Sequence, residues 1–131
     1  MSGSVLDTSA IMAFLRSEIV GEEVGRMLEN RAIVSTVNVQ ELLAKLISKG
    51  MSVGDARLTV RSLNLEGHDL SWMLAESAAE MIEHTQAHGL SLGDRSCLAL
   101  ARALNMPAVT ADRAWANVAD DLGVDVVLIR R

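Results

Sequence analysis

The sequence predicts an α/β fold, a three-layer α/β/α sandwich around a central, mainly parallel sheet. Short apolar runs alternate with helical segments along the chain, and several runs, Ala32-Ile33-Val34 among them, are continuously apolar, as strands covered on both faces must be. Composition points the same way. Half of the 131 residues are hydrophobic, yet there are only one Phe, two Trp and no Tyr beside seven Met. A core of Leu, Val, Ile, Ala and Met suits helices packed on a sheet. The length fits one domain, residues 1–131, with one continuous core.

The elements follow in order. Val5-Leu6-Asp7 is a buried strand leading into a helix over Thr8-Ser9-Ala10-Ile11-Met12-Ala13-Phe14-Leu15, with Ser9 as its cap. A helix spans Val20 to Asn30, and Ala32 to Ser35 is the next strand. Val39, Leu42, Leu43, Leu46 and Ile47 recur at helical spacing and stop at Gly50. A helix from Ser52 to Leu63 precedes a strand around Glu66 to Leu70. Leu70, Leu74, Ala78, Met81 and Ile82 mark a helix ending near Gly89. Ser91-Leu92-Gly93-Asp94 opens another that runs to Asn105. Pro107 to Thr110 is a strand, Asp112 to Leu122 is mostly helical, and Val124 to Ile129 is a last β-rich run. Repeats, low-complexity tracts and linkers are absent.

A formal charge of −5 argues against a protein that grips nucleic acid through a broad basic face. It does not exclude a metal-dependent nuclease, because bound divalent cations offset acids locally. The single cysteine, Cys97, excludes an internal disulfide framework and fits a reducing compartment. No run approaches a membrane span and Met1-Ser2-Gly3-Ser4 lacks signal-peptide character, so a cytoplasmic location is expected.

Four carboxylates stand beside apolar runs, where a charge is poorly solvated: Asp7, Glu41, Asp94 and Asp112. Asp7 and Asp112 fall at the carboxyl ends of expected parallel strands, the edge where open α/β sheets place their ligand crevice. Asp94 shares a helix face with Cys97, Leu98 and Ala101. Glu41 differs, since periodicity turns it away from the Val39/Leu42/Leu43/Leu46 stripe, with Lys45 one turn on as a surface partner. Each also has an ordinary structural reading: Asp7 and Asp112 as helix caps, Asp94 as a first-turn acid, Glu41 as half of a surface ion pair. Carboxylates brought close together repel, and either protons or a cation must neutralise them. Hard oxygen donors without clustered His or Cys suit Mg²⁺ or Mn²⁺, which activate water and clamp phosphodiester oxygens.

Val5-Leu6-Asp7-Thr8-Ser9, the helical acid Glu41, Leu90-Ser91-Leu92-Gly93-Asp94 opening a later helix, and Thr110-Ala111-Asp112 after a strand together resemble the PIN domain, over nearly the whole chain. At this length the chain looks most like a VapC-type toxin of a toxin–antitoxin pair. The resemblance implies an endoribonuclease dependent on Mg²⁺ or Mn²⁺, with Asp7, Glu41, Asp94 and Asp112 as metal-binding and catalytic acids. Thr8, Ser9 and Thr110 would be supporting hydroxyls. It further implies RNA as substrate, cleavage leaving a 5′-phosphate and a 3′-hydroxyl, a homodimer, and a cognate antitoxin whose tail covers the acidic groove.

Other residues carry less. Arg95 and Arg113, each next to a site acid, are candidate RNA contacts, ahead of Lys45, Lys49 and Arg102. Trp115 is the first choice for base stacking, before Trp72 and Phe14. His84 and His88, with Glu80 a turn before, have the spacing of a zinc patch but read more simply as solvated residues near a helix end. His68 stands alone, and Cys97 is a small core residue. A non-catalytic PIN-like binding module is the alternative from a different class. An aspartate-nucleophile phosphatase would want a second aspartate two residues after Asp7, and a receiver domain a late lysine, whereas none follows Lys49.

Overall fold

Strand alternation generates the layers. The structure, a computed structural model, describes residues 3–16 and 21–129. Five strands form one sheet: β1 (Gly3–Leu6), β2 (Arg31–Ser35), β3 (Glu66–His68), β4 (Ala108–Thr110) and β5 (Val126–Leu128), in the order β3-β2-β1-β4-β5, with every pairing parallel. Successive side chains point to opposite faces. Val5, Ile33 and Ala108 therefore enter one core, and Leu6, Ala32, Val34 and Val109 the other.

Helices cover both faces. On the Leu6 side lie α1 (Thr8–Leu15), α2 (Gly21–Glu29), α3 (Thr36–Ser48) and α4 (Val53–Ser62), contributing Ile11, Val24, Leu42 and Val60 among others. On the Val5 side lie α5 (Trp72–Glu80), the short α6 (Ile82–Thr85), α7 (Leu92–Leu104) and α8 (Ala119–Leu122). This is the three-layer, all-parallel arrangement that the alternation of elements predicts. The expected helix start at Val20 lies outside the described residues. Among the described residues, no helix is long and apolar enough to cross a membrane.

Two expectations need correction. Asp7, not Ser9, caps α1: its side chain accepts from the Ala10 amide at 2.8 Å. The helix expected up to Gly89 breaks at Met81, where both the amide and the hydroxyl of Thr85 donate to the Met81 carbonyl, at 3.0 and 2.9 Å. The amide bond is the regular ladder, and the hydroxyl bond to the same carbonyl is the i−4 back-bond that bends helices. The segment continues as α6 and a 3₁₀ turn, Gln86–His88, ending at Gly89 with φ 71°. The stretch after Asp112 is mostly helical, as expected: a 3₁₀ turn, Arg113–Asn117, followed by α8. The polar strand β3 is real, and it is polar because it is an edge. Arg31, at the start of the neighbouring strand β2, donates through Nε and Nη2 to the Glu66 carboxylate at 3.0 and 2.9 Å.

The topology places the site. From β1 the chain moves to β2 and β3 on one side and then returns to β4 on the other, so the carboxyl ends of β1 and β4 flank a switch point, where doubly wound sheets open a crevice. Leu98, fully buried in α7, packs the layer beneath that crevice, whereas Leu92 at the start of the same helix is 63% exposed. Leu98→Ala should cost about 2–5 kcal/mol in urea unfolding, and Leu92→Ala should stay within about 0.5 kcal/mol. Equal losses would contradict this assignment of layers.

Candidate functional site

Register decides which groups meet at the crevice. Val5 pairs with Ala108 and Leu6 with Val109, so Asp7 falls beside Thr110. The Asp7 amide extends the ladder by donating to the Val109 carbonyl at 3.0 Å. Thr110 Oγ1, fully buried, donates to Asp7 Oδ2 at 2.6 Å. Ser9 Oγ lies 2.8 and 2.9 Å from the two Asp7 oxygens and also accepts from the Ala111 amide at 3.0 Å. Asp7 is thus both a helix cap and a carboxylate 3% exposed, held by two hydroxyls and one amide. Burial outweighs those bonds: desolvation, with a smaller push from the Asp94 charge, raises its pKa from 3.8 to about 6.

Asp94 is the electrostatic hub. It sits in the first turn of α7, where Ser91 and Asp94 form a reciprocal capping box: the Asp94 amide donates to Ser91 Oγ at 3.2 Å and the Ser91 amide to Asp94 Oδ2 at 2.9 Å. Partial burial pushes its pKa up, the two Ser91 bonds pull it down, and the charges of Asp112 and Glu41 push it up again. Asp7, Glu41 and Asp112 are thus each within electrostatic reach of Asp94. Beneath them Cys97 is fully buried, as expected of a core residue. Its thiol pKa is pushed well above the ordinary value by burial, then by the charges of Asp7, Asp94 and Glu41.

Glu41 overturns the surface-pair expectation. It is half-buried, and its Oε1 accepts from Thr8 Oγ1 and from Asn38 Nδ2, both at 2.8 Å. The buried stripe of α3 is Asn38, Leu42 and Leu46. Counting Asn38 as buried rotates the inward face about 50° toward Glu41 at 100° per residue. Gly93 completes the arrangement, because a Cβ there would overlap the Glu41 carboxylate.

Asn38 and Gly93 are the residues that sequence reasoning missed. The signal for Asn38 was a polar residue in register with Leu42 and Leu46, and for Gly93 a glycine inside a helix beside an acid. Asn38 Nδ2 also donates to the Gly93 carbonyl at 3.2 Å, tying α3 to α7. Its Oδ1 is buried without a partner among the described residues, a state that costs about 1–3 kcal/mol.

Asp112 is exposed and caps the 3₁₀ turn, accepting from the Ala114 amide at 3.0 Å, while its own amide donates to Thr110 Oγ1 at 3.0 Å. Arg95 lies half-buried with Nη1 donating to the Leu90 carbonyl at 3.2 Å, and Arg113 is exposed. Trp115 is not a stacking platform, because it is fully buried in the core. Trp72, 82% exposed, is open to solvent, whereas Phe14 is half-buried against Gly25. His84 lines a hollow of about 320 Å³ with Glu80, Arg102 and Asp121, away from the four acids. The break at Met81 takes His84 and His88 off one regular helix, and they do not gather into a ligand cluster with Glu80.

The donor set fits a hard divalent cation. It is all oxygen, it repels itself, and neither ion pair found among the described residues, Arg31–Glu66 and His68–Glu66, involves it. Gly93 leaves room for the Glu41 carboxylate, and Glu41 Oε2 receives no hydrogen bond among the described residues. Also among the described residues, no three His, Cys, Asp or Glu side chains are already drawn in to ligand distance. A cation would therefore pull the carboxylates together.

A pH dependence follows from Asp7. Its folded pKa, about 6, lies above the unfolded value near 3.8, so the folded state binds the proton more tightly. Its contribution favours folding at low pH and is lost as pH rises from about 4 to about 6, on the order of 3 kcal/mol for a shift of about two units. Asp7→Asn should remove that slope and make the metal-free protein more stable at pH 7.5, as read by urea unfolding. A destabilised Asp7→Asn with an unchanged slope would contradict this account of burial. Gly93→Ala should leave the fold intact and displace the Glu41 carboxylate in a crystal structure, and an unmoved carboxylate would count against the close approach described here.

Comparison with known proteins places this geometry in a family. No curated protein sequence matches the chain. Among solved structures, a toxin–antitoxin complex from Klebsiella pneumoniae is 16% identical with a TM-score of 0.75, over 98% of this chain and 99% of that one. The DNA-bound VapBC from Salmonella typhimurium is 17% identical with a TM-score of 0.75, over the same 98% and 99%. FitAcB from Neisseria gonorrhoeae is 18% identical with a TM-score of 0.66, over 96% of this chain and 97% of that one. At such identities the likeness is one of fold. The sequence itself matches the PIN domain over residues 4–121, and the chain belongs to the PIN domain family.

Proposed function

We propose that this protein is a metal-dependent endoribonuclease, the toxin of a type II toxin–antitoxin pair, and that Asp7, Glu41, Asp94 and Asp112 are its metal-binding and catalytic acids. The observation that carries the reading is Asp7: a carboxylate 3% exposed, its pKa lifted to about 6, kept beside a second acid with hydroxyls and an amide as its partners. Such an arrangement is destabilising unless a cation completes it. Membership in the PIN family supports the reading, as does likeness in fold to chains from complexes described as toxin–antitoxin and VapBC.

Mg²⁺ or Mn²⁺, when bound, would supply neutralisation of the acids, a hydrolytic water of lowered pKa and polarisation of the scissile phosphate. The chain's own residues do the rest. Ser9 and Thr110 fix the plane of the Asp7 carboxylate. Thr8 and Asn38 hold Glu41 by one oxygen. The capping box keeps Asp94 at the positive end of α7, where a carboxylate is favoured. Asp112, exposed and held only through its cap bond, acts through water or accepts a proton at the crevice mouth. Arg95 and Arg113 flank the acids and supply positive charge for the RNA backbone.

The proposal extends to partners. A homodimer and a cognate antitoxin belong to this reading, with an acidic crevice, whose carboxylates make no ion pair among the described residues, suited to an arginine from the antitoxin tail. Its setting is the cytoplasm.

The test is cleavage of single-stranded RNA by purified protein. Activity should need Mg²⁺ or Mn²⁺, vanish on chelation, and fall to background in Asp7→Asn and Asp94→Asn. Thr110→Ala should lose about 10–100-fold, the usual effect of removing a group that orients a ligand. Undiminished cleavage by both aspartate variants would sink the assignment. A wild type that binds no metal and cleaves nothing would favour a non-catalytic binding module.

A further inference from the structure

Asn38 is buried, 1% exposed, in a site otherwise built from acids and hydroxyls, and the roles given to the four acids leave its burial unexplained. Its Nδ2 bridges Glu41 Oε1 at 2.8 Å and the Gly93 carbonyl at 3.2 Å, while Oδ1 has no partner among the described residues. Stability alone does not explain it, since an apolar side chain of similar volume would leave no idle acceptor. The orientation of the amide is fixed by its neighbours. Turned over, it would set Oδ1 against a carboxylate and a carbonyl, two acceptors with no proton between them. Thr8 Oγ1 donates to the same Glu41 oxygen at 2.8 Å. Both donors therefore converge on Oε1, and Oε2 lies over the bare Cα of Gly93 with no hydrogen bond among the described residues.

We infer that Asn38 is a positioning residue: it anchors Oε1 so that Glu41 presents Oε2 alone as a one-oxygen donor, and by holding the Gly93 carbonyl it delivers Glu41 and Asp94 as one unit. The part concerning the cation rests on the reading of the four acids as a metal site. Glu41 lies in α3 and Asp94 in α7, on helices packed against opposite faces of the sheet. The Asn38 amide is a direct tie between the two near the acids. Without it, Glu41 would keep a single donor, Thr8, and regain rotamers that swing it toward solvent.

The experiment is a double-mutant cycle on Mn²⁺ affinity, measured by calorimetry with Mn²⁺ alone. Asn38→Leu should weaken binding about 10–100-fold, as loss of a ligand-orienting partner does. Glu41→Gln should weaken it at least as much, and the combined variant should be no worse than Glu41→Gln. Losses that multiply would show that Asn38 acts independently of Glu41 and would overturn the inference. Unchanged affinity in Asn38→Leu would do the same. Asn38→Ala replaces the leucine variant if that one does not fold. A crystal structure of the metal-free Asn38 variant separates this inference from the functional reading. The Glu41 carboxylate should leave its place over Gly93 while α3 and α7 stay put, and an unmoved carboxylate overturns the positioning role. If the wild type binds no Mn²⁺, the cation-site reading falls, and the position of Glu41 in that structure still decides what Asn38 does.

Discussion

The hydrogen bond from Thr110 to Asp7 joins the two strands at the switch point, and the rest of the site is arranged around it. It exists because the parallel register puts residue 110 beside residue 7. The carboxylate it holds also starts α1, through the Ala10 amide, and meets the Ser9 hydroxyl that in turn receives the Ala111 amide. One buried charge thus links β1, α1, β4 and the turn after β4. Removing the hydroxyls would leave that charge short of donors, and removing the charge would leave the Ser9 and Thr110 hydroxyls, 3.3 Å apart, without their carboxylate acceptor.

The other acids share a device: each lies in the first turns of a helical segment that follows a strand or a cap. Asp7 is the N-cap of α1, Asp94 is in the first turn of α7, Asp112 caps a 3₁₀ turn, and Glu41 lies in the second turn of α3. A parallel sheet sends such starts to one edge, and their partial positive charge offsets some of the repulsion among carboxylates. The offset is incomplete. Asp7 and Asp94 both keep raised pKa values, with burial as the larger cause and neighbouring acids as an added one. The crevice therefore gathers carboxylates that hold protons more tightly than usual and make no ion pair among the described residues, which suits it to hold a hard cation.

Much of this was legible in the residues. The alternation of apolar runs and helices gave the layers, because a strand buried on both faces cannot tolerate polar positions, and β1, β2 and β4 have few. Asp7, Asp94 and Asp112 were visible because a charge beside an apolar run needs a reason. What was hidden depended on contacts across the fold. Glu41 was misread because helical periodicity counts only apolar residues, and Asn38, polar and buried, is the member of the α3 stripe that turns the face. Gly93 matters only once Glu41 is known to lie over it. Ser9 was mistaken for a cap because its hydroxyl, though helix-initial in sequence, is drawn to a residue 102 positions away. Trp115 read as a surface aromatic because its neighbours are a charge and two alanines, yet the turn after Asp112 folds it into the core.

The central claim is that these acids form one cation site at the carboxyl ends of β1 and β4. Anomalous diffraction from crystals grown with Mn²⁺ tests it directly. The account predicts a peak between Asp7, Asp94 and Glu41, with the carboxylates drawn inward and Thr110 still bonded to Asp7. A crystal saturated with Mn²⁺ that shows no peak there, or shows one only at the hollow beside His84, would contradict it.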